Sequence, residues 1–278
     1  MKKRELRRGI YIVPTSLTIV NVFFGFVAIL FAMRGMQADT LGAEARAGYF
    51  FQIACWSLFL AAIFDTFDGA VARMLNATSE FGKEYDSLAD VVTFGAAPAV
   101  LVYAWGLQLY GRLGGGIAFL YLVAGSLRLA RFNISAGKTD YRFFVGLPIP
   151  AAALTLASII NFSPEPVTNE RFAALMLFVT AALGFSMVST IRWKSQKFKS
   201  LQRVQRKRAF LYLLVIAFVL AIMFRWPAEF FLVWFVGYLV SGPLWKVWTM
   251  IFRRRTTPEP SPAADGPSMQ EIEPEEKH

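Results

Sequence analysis

The chain has 278 residues, of which 56% are apolar, and its formal charge is +10. Its only histidine is His278 and its only cysteine is Cys55. A Ser-His-Asp triad, an HExxH zinc site, a cysteine metal cluster and an intrachain disulfide are therefore excluded. Long apolar stretches alternate with short basic clusters, which indicates a membrane protein rather than a nucleic-acid-binding one.

Eight spanning helices are predicted from the apolar stretches. They cover residues of about 16–34, 48–75, 86–110, 114–134, 147–162, 169–190, 209–225 and 228–250. The fifth is short and flanked by Pro148 and Pro150, so a tilted or partial span is expected there. The predicted fold class is all-α, a polytopic membrane helical bundle.

The pattern divides the chain into four segments. They are a basic juxtamembrane segment at 1–13, a catalytic membrane domain at 14–195, additional spans at 196–252 and a disordered tail at 253–278. Both a surface amphipathic helix and a simple basic anchor fit the first segment. No cleavable leader is expected, because the apolar stretch of residues 17–33 is too long for one.

Basic residues predict the orientation of these spans. Eight spans place both termini on one side, and the connections on the other side carry few basic residues. Those residues are Arg34, Arg46, Arg112, Arg171 and Arg225. By the positive-inside rule, the side that holds the termini faces the cytoplasm. A bacterial inner membrane suits such a compact chain.

Four aspartates interrupt the membrane pattern within residues 65–90. Asp65 and Asp68 are three residues apart, and Asp86 and Asp90 are four apart, so each pair shares a helix face. Ionisable residues in spans are costly and usually functional. In a helical hairpin these carboxylates converge and repel one another, which a divalent cation would offset. Oxygen ligands favour Mg²⁺ or Mn²⁺, and two ions would suit phosphoryl chemistry.

The run D-x2-D-G-x2-A-R-x8-G-x3-D-x3-D resembles the signature of the CDP-alcohol phosphotransferase family. The resemblance implies a six-helix membrane core, commonly a homodimer, with the last two spans outside it. It also implies that Asp90 is the base for the acceptor hydroxyl. The implied metal ligands are Asp65, Asp68 and Asp86, with Asp90 as a further candidate. The implied nucleotide-site residues are Asp65, Gly69, Ala72, Arg73 and Gly82.

A structural alternative for the same run is a helix hairpin whose aspartates pair with Arg73 and Lys83. A second element, PT-x-LT-x2-N, begins at Pro14 and ends at Asn21. It resembles an element found at the same place in the phosphatidylserine synthase branch of this family. Both the nucleotide and a buried helix–helix hydrogen bond are open as partners of Asn21.

Residues 125–133 (GSLRLARFN) and 144–153 (FVGLPIPAAA) resemble the same branch, as do residues 186–192 more loosely. That resemblance implies transfer of a phosphatidyl group from CDP-diacylglycerol to L-serine. Arg128 and Arg131 share a helix face and can bind the serine carboxylate, with Asn133 as a neutral partner. Lys138 is a further acceptor-site candidate. The alternatives are diphosphate binding and a role only as basic residues at a helix end.

Three other functions stay open at this point. The same chemistry can act on glycerol 3-phosphate or an inositol phosphate, for which a denser basic pocket is expected. A cation- or proton-coupled transporter can use the aspartates as an ion path, but no inverted repeat is visible. A non-catalytic scaffold would leave the aspartate spacing unexplained.

Overall fold

A computed structural model describes residues 2–74, 79–135, 143–190, 192–194 and 225–252. Within these residues the helices are α1 (Lys2–Thr40), α2 (Glu44–Met74), α3 (Glu80–Asp90), a π-helix (Val91–Ala96), α4 (Ala97–Trp105), a 3₁₀-helix (Leu107–Tyr110), α5 (Gly111–Ser135), α6 (Ile149–Phe162), α7 (Glu170–Val188) and α8 (Pro227–Phe252). The strands are β1 (Phe143–Val145) and β2 (Arg192–Lys194).

Five segments in the described part are long and apolar enough to cross a membrane. They are Thr15–Thr40, Glu44–Val71, Glu80–Trp105, Leu107–Ile134 and Glu170–Val188. They correspond to predicted spans one to four and six, and the prediction of an all-α membrane bundle is confirmed. Predicted span seven, apart from Arg225, and the predicted tail at 253–278 lie outside the described residues.

Helix ends differ from the predicted ones for local chemical reasons. Helix α1 continues to Thr40. Two residues later, Gly42 adopts a φ of 72°, and its amide donates a hydrogen bond to the carbonyl of Asp39. This left-handed residue ends the helix in the way that glycine commonly does. The third span begins at Glu80 because Ser79 caps α3, its hydroxyl accepting from the Gly82 amide at 2.9 Å.

Helix α6 lies at the centre of the bundle. It has 14 residues, which is about 21 Å and shorter than the hydrocarbon core of a bilayer. Residues on every side of it are buried, from Ile149 to Asn161, because α2, α4, the π-helix and α8 pack around it. A helix that is apolar all round is expected in such a position.

A short antiparallel sheet joins the ends of α5, α6 and α7. Phe144 of β1 pairs with Trp193 of β2, and the Leu147 amide donates to the Ser186 carbonyl at 3.0 Å. The prediction of an all-α chain did not include this sheet. Backbone groups outside the helices need partners, and two neighbouring connections supply them to each other.

Candidate active site

The hairpin of α2 and α3 brings three aspartates together at one point. One carboxylate oxygen from each of Asp65, Asp68 and Asp86 lies within 4.8 Å of the others. Asp68 is buried, and the other two are partly buried. The Oδ1 atom of Asp86 is buried and has no hydrogen-bond partner within the described part of the chain. Clustered oxygen donors with unused lone pairs fit a hard divalent cation such as Mg²⁺ or Mn²⁺.

Asp90 stands beside this group of three. Its carboxyl group lies within hydrogen-bond reach of Asp65, and its Oδ1 is buried without a partner among the described residues. Two carboxyl groups approach this closely only when a proton or a cation offsets their repulsion. Asp90 therefore borders the cluster and keeps one oxygen available for another group.

Helix α1 contributes a polar face to the site. The Thr18 hydroxyl donates to Asp68 Oδ2 at 3.0 Å. Asn21 follows one turn later, is fully buried, and neither atom of its side-chain amide has a hydrogen-bond partner in the described part. Among the described residues, the Asn21 side chain makes no hydrogen bond to another helix. A buried amide left in this state is costly and calls for a polar ligand.

A π-helix follows Asp90 directly, and π-helices are frequent at functional sites. Its Thr93 hydroxyl donates to the Asn21 carbonyl at 3.4 Å. A β-carbon on Gly25 of α1 would lie 2.8 Å from the Thr93 α-carbon. The missing side chain at Gly25 allows α1 to approach the segment that carries Asp90.

The remaining residues predicted to line the nucleotide lie around the hairpin. Gly69 follows Asp68 directly in α2, and Gly82 lies in the first turn of α3. The Gly82 amide is engaged by the helix cap at Ser79, so its backbone donor serves the helix start. Ala72 and Arg73 belong to the last turns of α2, and their side chains lie outside the described part.

Arg128 of α5 lies near Asp90. Its side chain is 7% exposed and lies near Asp90 and near Tyr238 of α8. Its guanidinium also lies over the ring of Phe132, 5.4 Å from the ring centroid. A buried cation this close to the site is suited to an anionic ligand group.

Arg131 and Asn133 serve contacts within the protein, although they lie within two turns of Arg128. Arg131 donates to the carbonyls of Val188 and Ser189 at 3.0 and 3.2 Å, at the end of α7. A cation at a helix C-terminus is favourable there. Asn133 donates to the Ser87 hydroxyl at 2.9 Å and so links α5 to α3. Lys138 lies outside the described residues.

Three features of the site were not predicted from the sequence. Thr18 belongs to the PT-x-LT-x2-N element, but nothing in that element indicates its hydrogen bond to Asp68. Tyr238 lies far from the aspartates in the chain and carries no motif, so nothing in the sequence marks it. The π-helix has no sequence signal of its own in residues 91–96.

Comparison with known proteins identifies related sequences. A sequence model described as CDP-alcohol phosphatidyltransferase matches residues 11–188. A Helicobacter pylori (strain J99) protein named CDP-diacylglycerol–serine O-phosphatidyltransferase is 35% identical over 243 residues, 87% of this chain and 94% of that protein.

Proteins of two further organisms are also similar to this chain. A Bacillus subtilis (strain 168) protein with the same name is 37% identical over 196 residues, 70% of this chain and 97% of that protein. The archaetidylserine synthase of Methanothermobacter thermautotrophicus is 35% identical over 182 residues, 65% of this chain and 68% of that protein. The family inferred from the aspartate run is confirmed: the chain belongs to the CDP-alcohol phosphatidyltransferase family.

Proposed function

We propose that this protein transfers a phosphatidyl group from CDP-diacylglycerol to L-serine, which gives phosphatidylserine and CMP. The observation that carries the proposal is the convergence of Asp65, Asp68 and Asp86, with Asp90 beside them, in a membrane-embedded hairpin. The names of the relatives supply the acceptor, since both CDP-diacylglycerol relatives described above are serine transferases. Family membership argues against the transporter and scaffold alternatives.

A divalent cation, Mg²⁺ or Mn²⁺ and most suitably a pair of ions, belongs to this proposal. Asp65, Asp68 and Asp86 would hold it, and Asp90 borders the same site. When bound there, such a cation would offset the negative charge of the diphosphate and help to orient it. The buried, unpartnered oxygen of Asp86 supports this assignment because a carboxylate oxygen rarely stays unsatisfied inside a protein.

Asp90 is the proposed general base. Its free oxygen accepts the proton of the serine hydroxyl while the serine oxygen attacks the phosphorus that carries the diacylglycerol. The bond from that phosphorus to the bridging oxygen breaks, and CMP leaves with the bridging oxygen and its electron pair. The chain has one histidine, at its C-terminus, and no evident nucleophile at the site, so direct in-line transfer is favoured over a covalent intermediate.

The nucleotide is proposed to lie along the hairpin, next to Asp65. Gly69, Ala72 and Gly82 keep side-chain bulk low beside it, and Arg73 is the candidate phosphate partner. Asn21 supports this placement, because its buried amide has both a donor and an acceptor to offer a cytosine base.

For the acceptor, Arg128 is the proposed partner of the serine carboxylate. It is buried, lies near Asp90, and has Tyr238 beside it. The other predicted acceptor residues are Arg131, Asn133 and Lys138. The contacts of Arg131 and Asn133 support a role for both in holding α7 and α3 around the pocket.

The site is proposed to face the cytoplasm of a bacterial inner membrane, with both termini on the same side. The uneven distribution of basic residues supports this orientation. A homodimer is proposed from the family relationship. Cysteine-accessibility labelling in intact cells tests the orientation, and light scattering of the purified protein in detergent tests the dimer.

The decisive experiment is CMP release by purified protein supplied with CDP-diacylglycerol and Mn²⁺ or Mg²⁺. L-serine, glycerol 3-phosphate and an inositol phosphate are added in separate reactions. Of the three acceptors, we expect only L-serine to support CMP release. Mass spectrometry should then detect phosphatidylserine as the product. CMP release with another acceptor only would support the family's phosphatidyl transfer but exclude serine as the acceptor. No release with any acceptor would contradict the proposed function.

A further inference from the structure

The Thr18–Asp68 hydrogen bond crosses between two helices inside the bundle. Thr18 is 5% exposed and Asp68 is 6% exposed, so water cannot easily replace this donor. Helix α1 packs along α2 over a long face, which gives the hydroxyl a fixed position relative to the carboxylate. A short threonine side chain on a rigid helix has few rotamers and holds its partner in one orientation.

Asp68 has a second set of neighbours. One of its oxygens lies within 4.8 Å of oxygens of both Asp65 and Asp86. A carboxylate has about four lone-pair sites, so it can accept a hydrogen bond and still ligate a cation. Groups that hydrogen-bond to a ligand carboxylate orient it for the metal.

We propose that Thr18 is a positioning residue, which holds the Asp68 carboxylate in the orientation that binds the divalent cation. This inference rests on the proposed function, since it assumes that the aspartate cluster holds a cation. It assigns to α1 a part in building the metal site, in addition to any contact of Asn21 with the nucleotide.

The test measures Mn²⁺ binding directly, from the loss of the free-Mn²⁺ electron paramagnetic resonance signal on titration of the purified full-length protein. Thr18→Val keeps the side-chain shape and removes the donor, so we expect its Mn²⁺ affinity to fall about 10- to 100-fold. Thr18→Ser restores a hydroxyl and should bind Mn²⁺ nearly as well as the unsubstituted protein.

Thr180→Val is the matched control. Thr180 is also buried, but its hydroxyl donates within α7, to the Met176 carbonyl at 2.7 Å. We expect this variant to keep its Mn²⁺ affinity. If Thr18→Val cannot be recovered folded, Thr18→Ala takes its place in the same titration.

A double-mutant cycle with Asp68→Asn separates positioning from general destabilisation. In the Asp68→Asn background, Thr18→Val should cause no further loss of Mn²⁺ binding. Unchanged affinity in Thr18→Val, with loss in Asp68→Asn, would overturn this inference and leave the proposed function intact. Failure of the unsubstituted protein to bind Mn²⁺ would overturn the metal part of the proposed function together with this inference.

Discussion

The aspartate hairpin of α2 and α3 differs from the basic end of α5 in what its side chains contact. In the hairpin, like charges face one another and two carboxylate oxygens are buried without a partner in the described part. At the end of α5, Arg131 and Asn133 are engaged by Val188, Ser189 and Ser87. Buried carboxylate oxygens without a hydrogen-bond partner thus indicate a ligand site. Polar side chains whose hydrogen bonds are made between helices indicate a structural role.

The largest effect is expected from Asp90→Asn, because the amide cannot accept the hydroxyl proton. Activity should fall about 10²- to 10⁴-fold, the usual contribution of a general base. CMP release at saturating serine measures this loss. Asp39→Asn is the control, since Asp39 accepts from Gln108 at 2.9 Å and lies in the last turn of α1. Comparable activity in Asp90→Asn and Asp39→Asn would contradict the assigned role.

The second prediction compares Arg128→Gln with Arg131→Gln. Loss of Arg128 should raise the KM for serine by about 10- to 100-fold, in line with 1.5–3 kcal/mol for a charged hydrogen bond. Loss of Arg131 should mainly lower thermal stability, because it releases the carbonyls at the end of α7. Serine titrations and thermal unfolding in detergent measure the two effects. The reverse result would move the carboxylate site from Arg128 to Arg131.

Gly25→Ala tests the close approach of α1 to the π-helix. The added methyl would lie 2.5 Å from the Thr93 hydroxyl oxygen, so the helices must separate. Overpacking of this kind costs about 1–3 kcal/mol, and activity should fall because Asp90 moves with the displaced segment.

Gly116→Ala is the control for that substitution. Gly116 lies in α5, and a β-carbon there would meet no atom within 4 Å. This variant should keep its activity and its thermal stability, or be slightly more stable. CMP release and thermal unfolding measure the two properties. Equal stability and activity in Gly25→Ala would show that α1 does not constrain the Asp90 segment.

The smallest effect is expected from Tyr238→Phe, which removes the hydroxyl beside Arg128. If this hydroxyl donates to the serine carboxylate held by Arg128, the KM for serine should rise by about 2- to 10-fold, the usual contribution of one neutral hydrogen bond. Tyr110→Phe is the control, because the Tyr110 hydroxyl donates to the Glu170 carbonyl away from the aspartates. An unchanged KM in Tyr238→Phe would exclude α8 from the acceptor pocket.

Spacing within a helix made the hairpin predictable from the sequence. The separations of Asp65 from Asp68 and of Asp86 from Asp90 fix which side chains share a face, whatever the rest of the fold does. Membrane spans were predictable for a similar reason, since apolar length alone identifies them. The prediction of convergence needed only one further assumption, a tight hairpin.

Partners across the bundle were not predictable in the same way. The i,i+3 spacing of Arg128 and Arg131 placed both on one face, but their partners come from α3, α7 and α8, far away in sequence. Gly146 shows the same limit: its φ of 83°, and the Met187 carbonyl that a β-carbon there would meet, depend on the sheet between two distant connections. Contacts between residues this far apart in the chain cannot be predicted from a single sequence.

The π-helix sets the rotation of Asp90 about its own helix axis. A regular α-helix turns about 100° per residue. If α3 and α4 formed one regular helix, the buried face of α4 would therefore fix the side of the helix on which Asp90 lies. Six residues of wider winding, Val91–Ala96, separate the two. The chain can therefore keep Phe94 and Trp105 in the core while Asp90 faces the aspartates. Deletion of one residue from this segment would restore regular winding and turn Asp90 away from its neighbours, with every side chain of the site still present.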